Sequence, residues 1–191
     1  MRYFISPQTA IVSPELLAKA RSFAQEVTPT VGDRGQGYRD SHQGNLAKIT
    51  LDHWVSKIGE EAVRLIFVQQ GCEVEGPDYQ IYRGKQKSWA ADLRVNGVDL
   101  AVKTQSLQMA RRFGLSWTFQ CGQHRKDPIL QTPHAWVCFV QAEPETGHCV
   151  VYPPYQIQEL RFSEPKLSYL KGSKKVIYAQ DLSTIRPISA P

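Results

Sequence analysis

Cysteine is scarce and scattered in this chain, with Cys72, Cys121, Cys138 and Cys149 the only four in 191 residues. Their wide spacing, without a secretion signal, argues against a disulfide framework and for reduced thiols. Long apolar runs are missing as well. Segments 65–68 and 136–140 are the longest and are far too short to cross a bilayer, and 1–10 lacks the apolar stretch of a signal peptide. A soluble, cytoplasmic protein with no membrane partner is therefore expected. There is no acidic excess, no internal repeat and no long low-complexity tract. Lys and Arg total 23 against 18 Asp and Glu, a formal charge of +5. With a pI near 9.0, that balance favours a polyanionic partner.

The length suits one α/β domain with an appended arm, divided as 1–45, an N-terminal helix and mobile arm, and 46–191, the main domain. Ser13-Pro14-Glu15 is a helix start, with a capping hydroxyl, proline in the first turn and an acid at the positive end of the dipole. That helix is expected to reach about residue 26, and 29–44 reads as a glycine-rich loop. A second helix should start at Thr50 or Asp52 and stop at Gly71, with Trp54, Val55, Ile58, Ala62, Leu65, Ile66 and Phe67 as its apolar arc. Glu60 and Glu61 flank that arc on opposite sides, so one of them should be a solvated surface acid. Strands are expected at 72–74, 80–83, 90–95, 98–104, 115–121, 135–141 and 149–152. Residues 106–112 and 155–160 read as short helices, and Pro153-Pro154 as the end of the sheet.

Two of those strands carry the chemistry. Residues 91–95 and 98–105 flank Asn96-Gly97, the strongest short-range signal for a two-residue hairpin, because both turn positions need positive φ. Such a turn pairs Val95 with Val98, Arg94 with Asp99, Leu93 with Leu100 and Asp92 with Ala101. Opposed residues share a face, so Asp92, Ala101 and Lys103 project together while Leu93, Leu100 and Val102 point the other way. A carboxylate and an ammonium side by side on a rigid hairpin can form the floor of an active site.

An Asp on one strand followed by an acid-x-Lys triplet on the next resembles the PD-(D/E)XK nuclease superfamily. Val102-Lys103-Thr104-Gln105 looks like the V-K-[ST]-Q ending of its restriction-endonuclease-like and resolvase-like members. Lys57-Ile58-Gly59-Glu60-Glu61-Ala62-Val63 is similar to their first helix, in which a Glu follows a Gly. The match spans roughly residues 55 to 120, about a third of the chain. The resemblance implies a restriction-endonuclease-like mixed central sheet flanked by helices, acting as a Mg²⁺- or Mn²⁺-dependent DNA endonuclease. It implies Asp92 as central metal ligand, position 101 as second ligand and the Val102 carbonyl as a neutral oxygen. Lys103 would orient the attacking water and stabilise charge on the phosphate, with Glu60 and Gln105 in support.

Ala101 departs from that pattern, because the triplet begins with Asp or Glu. It can be read as an engineered loss of cleavage, as a natural loss leaving a binding-only fold, or as a site where Asp99 or Glu60 has taken over. Asp99 lies opposite Arg94, where a cross-strand ion pair is its expected fate. Arg111, Arg112, Arg125 and Lys126 form basic clusters shortly after Gln105 and are the candidate phosphate contacts. A homodimer would suit paired strand cuts. Two alternatives stand beside this reading: a nuclease-derived protein that binds nucleic acid without cutting it, and a structural domain whose hairpin charges face water. Cys121, His124, His134 and Cys138 loosely imitate a zinc site, although Cys138 lies in a stretch that reads as a buried strand. Trp117 and Phe119 fit the core, and Trp89 is the aromatic expected at the surface.

Overall fold

The computed structural model describes residues 1–32, 45–82, 91–123 and 126–182. Strand β1 (Gln8–Ile11) is followed by helices α1 (Pro14–Gly32) and α2 (Leu46–Gln69). Strands β2 (Val74–Glu75), β3 (Leu93–Val95) and β4 (Val98–Ser106) lead to helix α3 (Leu107–Phe113). Then come β5 (Ser116–Gln120), β6 (Trp136–Glu143), β7 (His148–Val151), β8 (Tyr155–Gln156) and β9 (Lys174–Tyr178). The expectation of a mixed α/β fold holds. Among the described residues the main sheet has seven strands in the order β1-β7-β6-β4-β3-β2, with β8 paired to β6. Only the β4–β6 pairing in it is parallel.

Alternation along β4 and β6 sets up three layers. Leu100, Val102, Cys138, Val140 and Ala142 meet Ile58, Ala62, Val63, Ile66 and Phe67 of α2 in one core. On the opposite face Val137 and Phe139 meet Trp117, Phe119 and Ile177 of a separate β5–β9 ribbon. The first 32 residues belong to these same layers, since β1 pairs with β7 and α1 packs along α2.

Several boundaries differ from the sequence expectation. α2 begins at Leu46 because Asn45 caps it, its side-chain oxygen accepting the Lys48 N–H at 3.1 Å. α1 continues through Pro29 to Gly32 instead of ending near residue 26. Packing against α2 sustains it there: Thr28 is buried and its hydroxyl accepts from the Thr50 hydroxyl at 3.0 Å. The rest of the expected loop, 33–44, lies outside the described residues. Residues 80–82 form no strand, because Asp78 captures the Gln80 N–H and the Tyr82 hydroxyl in a local turn. Pro153-Pro154 does not end the sheet: β8 follows immediately, and residues 157–159 make a single 3₁₀ turn. β1 and β9 were not anticipated, being short strands whose partners lie far away in sequence.

One contact fixes how α2 sits on the sheet. A methyl group added to Gly59 would stand 1.9 Å from Thr104 Oγ1, so only glycine permits this approach. Gly59→Ala is expected to lower stability by about 1–3 kcal/mol through overpacking. Denaturant midpoints would measure this, and Thr104→Ala in the same chain should recover part of the loss by removing the two nearest atoms.

Candidate active site

The hairpin forms as its sequence demands. Asn96 and Gly97 both have positive φ, at 46° and 76°, and the register is Val95 with Val98, Arg94 with Asp99 and Leu93 with Leu100. Asn96 also anchors the turn, its side-chain oxygen accepting the Glu73 N–H at 2.8 Å. The expected fourth pair, Asp92 with Ala101, is absent from the ladder. Asp92 instead uses its side chain, Oδ2 accepting the Val102 N–H at 2.7 Å. A carboxylate thus takes the place of a backbone carbonyl at the point where β3 has stopped.

The face assignment holds for the residues of β3 and β4, whereas Asp92 precedes β3 and turns its carboxylate to the edge of β4. Leu93, Leu100 and Val102 are buried toward α2, whereas Ala101 packs toward the β5–β9 side. Lys103 shares that side, its ammonium 4.8 Å from the centre of the Phe119 ring. Its ion-pair partner is Asp127, at 2.8 Å, which no sequence motif links to Lys103. Asp127 Oδ2 also accepts the Gln120 N–H at 3.2 Å, which holds the carboxylate against β5. Burial raises the Asp92 carboxyl above its ordinary range, against the Val102 N–H and the charges of Lys103 and Lys57; Asp127 adds to the rise.

The two acids of α2 correct an expectation. Neither is a solvated surface group: Glu60 is 3% exposed and Glu61 2%. Glu60 pairs with Lys57 at 2.5 Å, and Glu61 with Arg64 at 2.7 Å and the Tyr79 hydroxyl at 3.0 Å. The 77–82 segment and α1 explain this, because Tyr79 and Phe23 cover the flank of α2 that a lone amphipathic helix would show to water. Burial pushes the Glu60 carboxyl up to about 8; Lys57 opposes the rise and the charge of Asp92 reinforces it. Glu60, Lys57 and Asp92 are thus electrostatically coupled. The i,i+3 spacing of Lys57 to Glu60 is the sequence sign of that pairing.

The remaining candidates divide. Gln105 lies on the Lys103 face, but its amide spans a connection, Oε1 accepting the Ser116 N–H at 2.9 Å and Nε2 donating to the Gly114 carbonyl at 3.3 Å. Asp99 is exposed and sits 3.7 Å from Arg94, the ion pair expected of it. Arg111 and Arg112 are exposed at the end of α3. They line a cleft of about 500 Å³ with Ser106, Leu107, Glu143 and Glu145, beyond the ends of the parallel strands β4 and β6. That cleft does not contain Asp92 or Lys103; it begins three residues along β4 from Lys103, roughly 10 Å away. Lys126 is exposed beside Cys121, and Arg125 lies outside the described residues. So do His124 and Trp89. Cys138 is wholly buried in the α2-facing core, and burial raises its thiol far above the ordinary range, so it is a packing residue. Trp117 and Phe119 are likewise core, at 2% and 0% exposed.

Mg²⁺ binds oxygen donors and keeps several of its waters. Asp92 supplies a carboxylate, and strand geometry turns the Val102 carbonyl to the same side as the N–H that Asp92 holds. Ala101 supplies no donor. Among the described residues no three His, Cys, Asp or Glu side chains gather around one point. Asp92 and the Val102 carbonyl are thus two oxygen donors of the kind a hard cation takes alongside water. In comparisons with protein-family models, curated proteins and solved structures, nothing matches this chain.

The Glu60 shift sets a pH dependence. The folded chain retains a proton that the unfolded chain releases above about 4.5, so stability falls as pH rises from about 4.5 to about 8. Glu60→Gln has no proton to lose. Subtracting its urea midpoints from those of the wild type, pH by pH, should give a difference that declines across this window and is level above it. A level difference throughout would contradict the assigned burial.

Proposed function

We propose that this chain is a Mg²⁺-dependent DNA endonuclease of the PD-(D/E)XK type. The observation that carries the reading is the clamp between Asp92 and the Val102 N–H, on the strand that presents Lys103. It fixes an acidic and a cationic group on one hairpin, with a third ionisable group, Glu60, coupled to them from α2. Buried carboxylates displaced upward in this manner are frequent at functional sites. The positive formal charge agrees with a nucleic-acid partner.

The residues divide the work by position. Asp92 and the Val102 carbonyl are oxygen donors on one side of β4. Lys103 places an ammonium where charge grows on a scissile phosphate and where an attacking water can be oriented. Glu60 and Lys57 supply a proton-holding pair behind Asp92. Gln105 keeps the β4–α3–β5 connection in place. A bound Mg²⁺ would add Lewis-acid polarisation of the phosphate and a more acidic water. Arg111, Arg112 and Lys126 are exposed cations suited to backbone phosphates, although Glu143 and Glu145 weaken the attraction in the cleft.

Ala101 favours one other reading, a nuclease-derived protein that retains DNA without cutting it. Supercoiled plasmid with Mg²⁺ or Mn²⁺ separates the two. The endonuclease reading expects nicking by the wild type or, failing that, by Ala101→Glu. It also expects loss of at least roughly a hundredfold in Asp92→Asn, and an unchanged rate in Asp99→Asn, whose ion pair is exposed. Absence of cleavage from both wild type and Ala101→Glu would reject it. DNA retention that weakens steeply with salt would then support the binding protein.

A further inference from the structure

Position 101 is the point where the proposed site lacks a carboxylate, and the structure brings another one to the same face of β4. Lys103 is two residues beyond Ala101, so their side chains project to the same side of the strand. The Lys103 ammonium meets Asp127 Oδ2 at 2.8 Å, on the side of the sheet where Ala101 packs with its single methyl group against the β5–β9 cluster. Asp127 is held from two directions, by Lys103 and by the Gln120 N–H at 3.2 Å, both through the same oxygen. Its Oδ1 accepts no hydrogen bond among the described residues. The residue stands directly before Pro128 and a 3₁₀ turn, so its backbone is fixed as well. The other acids near the site are already committed elsewhere: Asp99 to Arg94 on the exposed side of the hairpin, Glu60 to Lys57 and Glu61 to Arg64.

We infer that Asp127 supplies, from the loop after β5, the second carboxylate that residue 101 does not. This inference rests on the proposed metal-dependent reading of the Asp92 site and extends it. Asp92 and Asp127 would stand on either side of Lys103, one fastened to β4 and one to β5. Ala101 would then be the small residue that leaves room for a carboxylate arriving from outside the hairpin. The negative charge of Asp127 is among those that act on the Asp92 carboxyl. Two carboxylates with the Val102 carbonyl and water make an oxygen set that Mg²⁺ or Mn²⁺ accepts.

Mn²⁺ titration of the full chain, followed by calorimetry and by the electron paramagnetic resonance of unbound Mn²⁺, tests this without any cleavage assay. Asp92→Asn and Asp127→Asn should each weaken Mn²⁺ binding by roughly tenfold or more. Ala101→Glu added to Asp127→Asn should restore it, because the carboxylate returns from the strand. Lys103→Met should bind Mn²⁺ at least as tightly as the wild type, since a competing cation is gone. If Asp127→Asn binds as the wild type does while Asp92→Asn does not, Asp127 is no ligand and only this inference falls. If Lys103→Met and Asp127→Asn lose binding equally, Asp127 serves merely as the counter-ion of Lys103, and the inference falls again. If neither wild type nor Ala101→Glu binds Mn²⁺, the metal-dependent reading falls with it. Should Asp127→Asn fail to fold, as judged by circular dichroism, Mn²⁺-induced broadening of carboxylate signals in the wild type decides. Broadening at both Asp92 and Asp127 is expected, and broadening at Asp92 alone overturns the assignment.

Discussion

The approach of Gly59 to Thr104 governs how the two halves of the candidate site meet. Only the Thr104 side chain lies between helix and strand there, and its hydroxyl is buried without a hydrogen-bond partner among the described residues. Leaving a buried hydroxyl unsatisfied costs on the order of 1–3 kcal/mol, so the surrounding apolar contacts of α2 with β4 and β6 must outweigh it. What the contact achieves is positional. It sets Glu60, the next residue along α2, close enough to the hairpin for the charge of Asp92 to act on it. A larger residue at 59 would lift the helix and loosen that coupling without any change to the charged groups themselves.

Charge burial is the second organising feature. Lys57–Glu60 and Arg64–Glu61 are hydrogen-bonded pairs whose acids are almost wholly enclosed, and Tyr79 lies between them with the Lys57 and Lys19 ammonium groups near its ring. Buried pairs add little net stability compared with apolar packing, but removing one partner strands the other at a cost of several kcal/mol, about 3–5. Such a layer therefore fixes geometry more than it stabilises the fold. The 77–82 segment is held over α2 by this layer and screens the Glu60 side of the site from water. Lys103 and Asp127 form a half-buried pair on the opposite face of the sheet, where the Phe119 ring supplies part of the surroundings of the ammonium.

Local features were readable because their causes are local. Asn96-Gly97 specified the turn, the turn specified the register, and the register specified which of Ala101, Lys103, Leu100 and Val102 share a face. Helix α2 and its apolar arc followed from periodicity, and the ion pair of Asp99 with Arg94 from cross-strand opposition. Other features had no such local cause. Glu61 read as a surface acid because an isolated amphipathic helix would expose it, and only the packing of Tyr79 and Arg64 encloses it. Gln105 read as a site residue because it follows Lys103 by two, yet its amide is used by the chain returning at Ser116. Asp127 carried no sequence signal toward Lys103, 24 residues away.

By itself, then, the sequence determined a hairpin, its turn, its register and the side of the strand on which each charge leaves the backbone, since these depend on φ preference and on the two-residue period of a strand. It also determined that α2 would bury one apolar face. Only the tertiary structure decided which charges meet: Lys103 with Asp127, Glu60 with Lys57 and, through space, with Asp92. Those partnerships depend on how closely α2 is laid on β4 and on where the β5–β9 ribbon closes over the other face. Both are set by packing between segments remote in sequence, for which no short-range pattern exists.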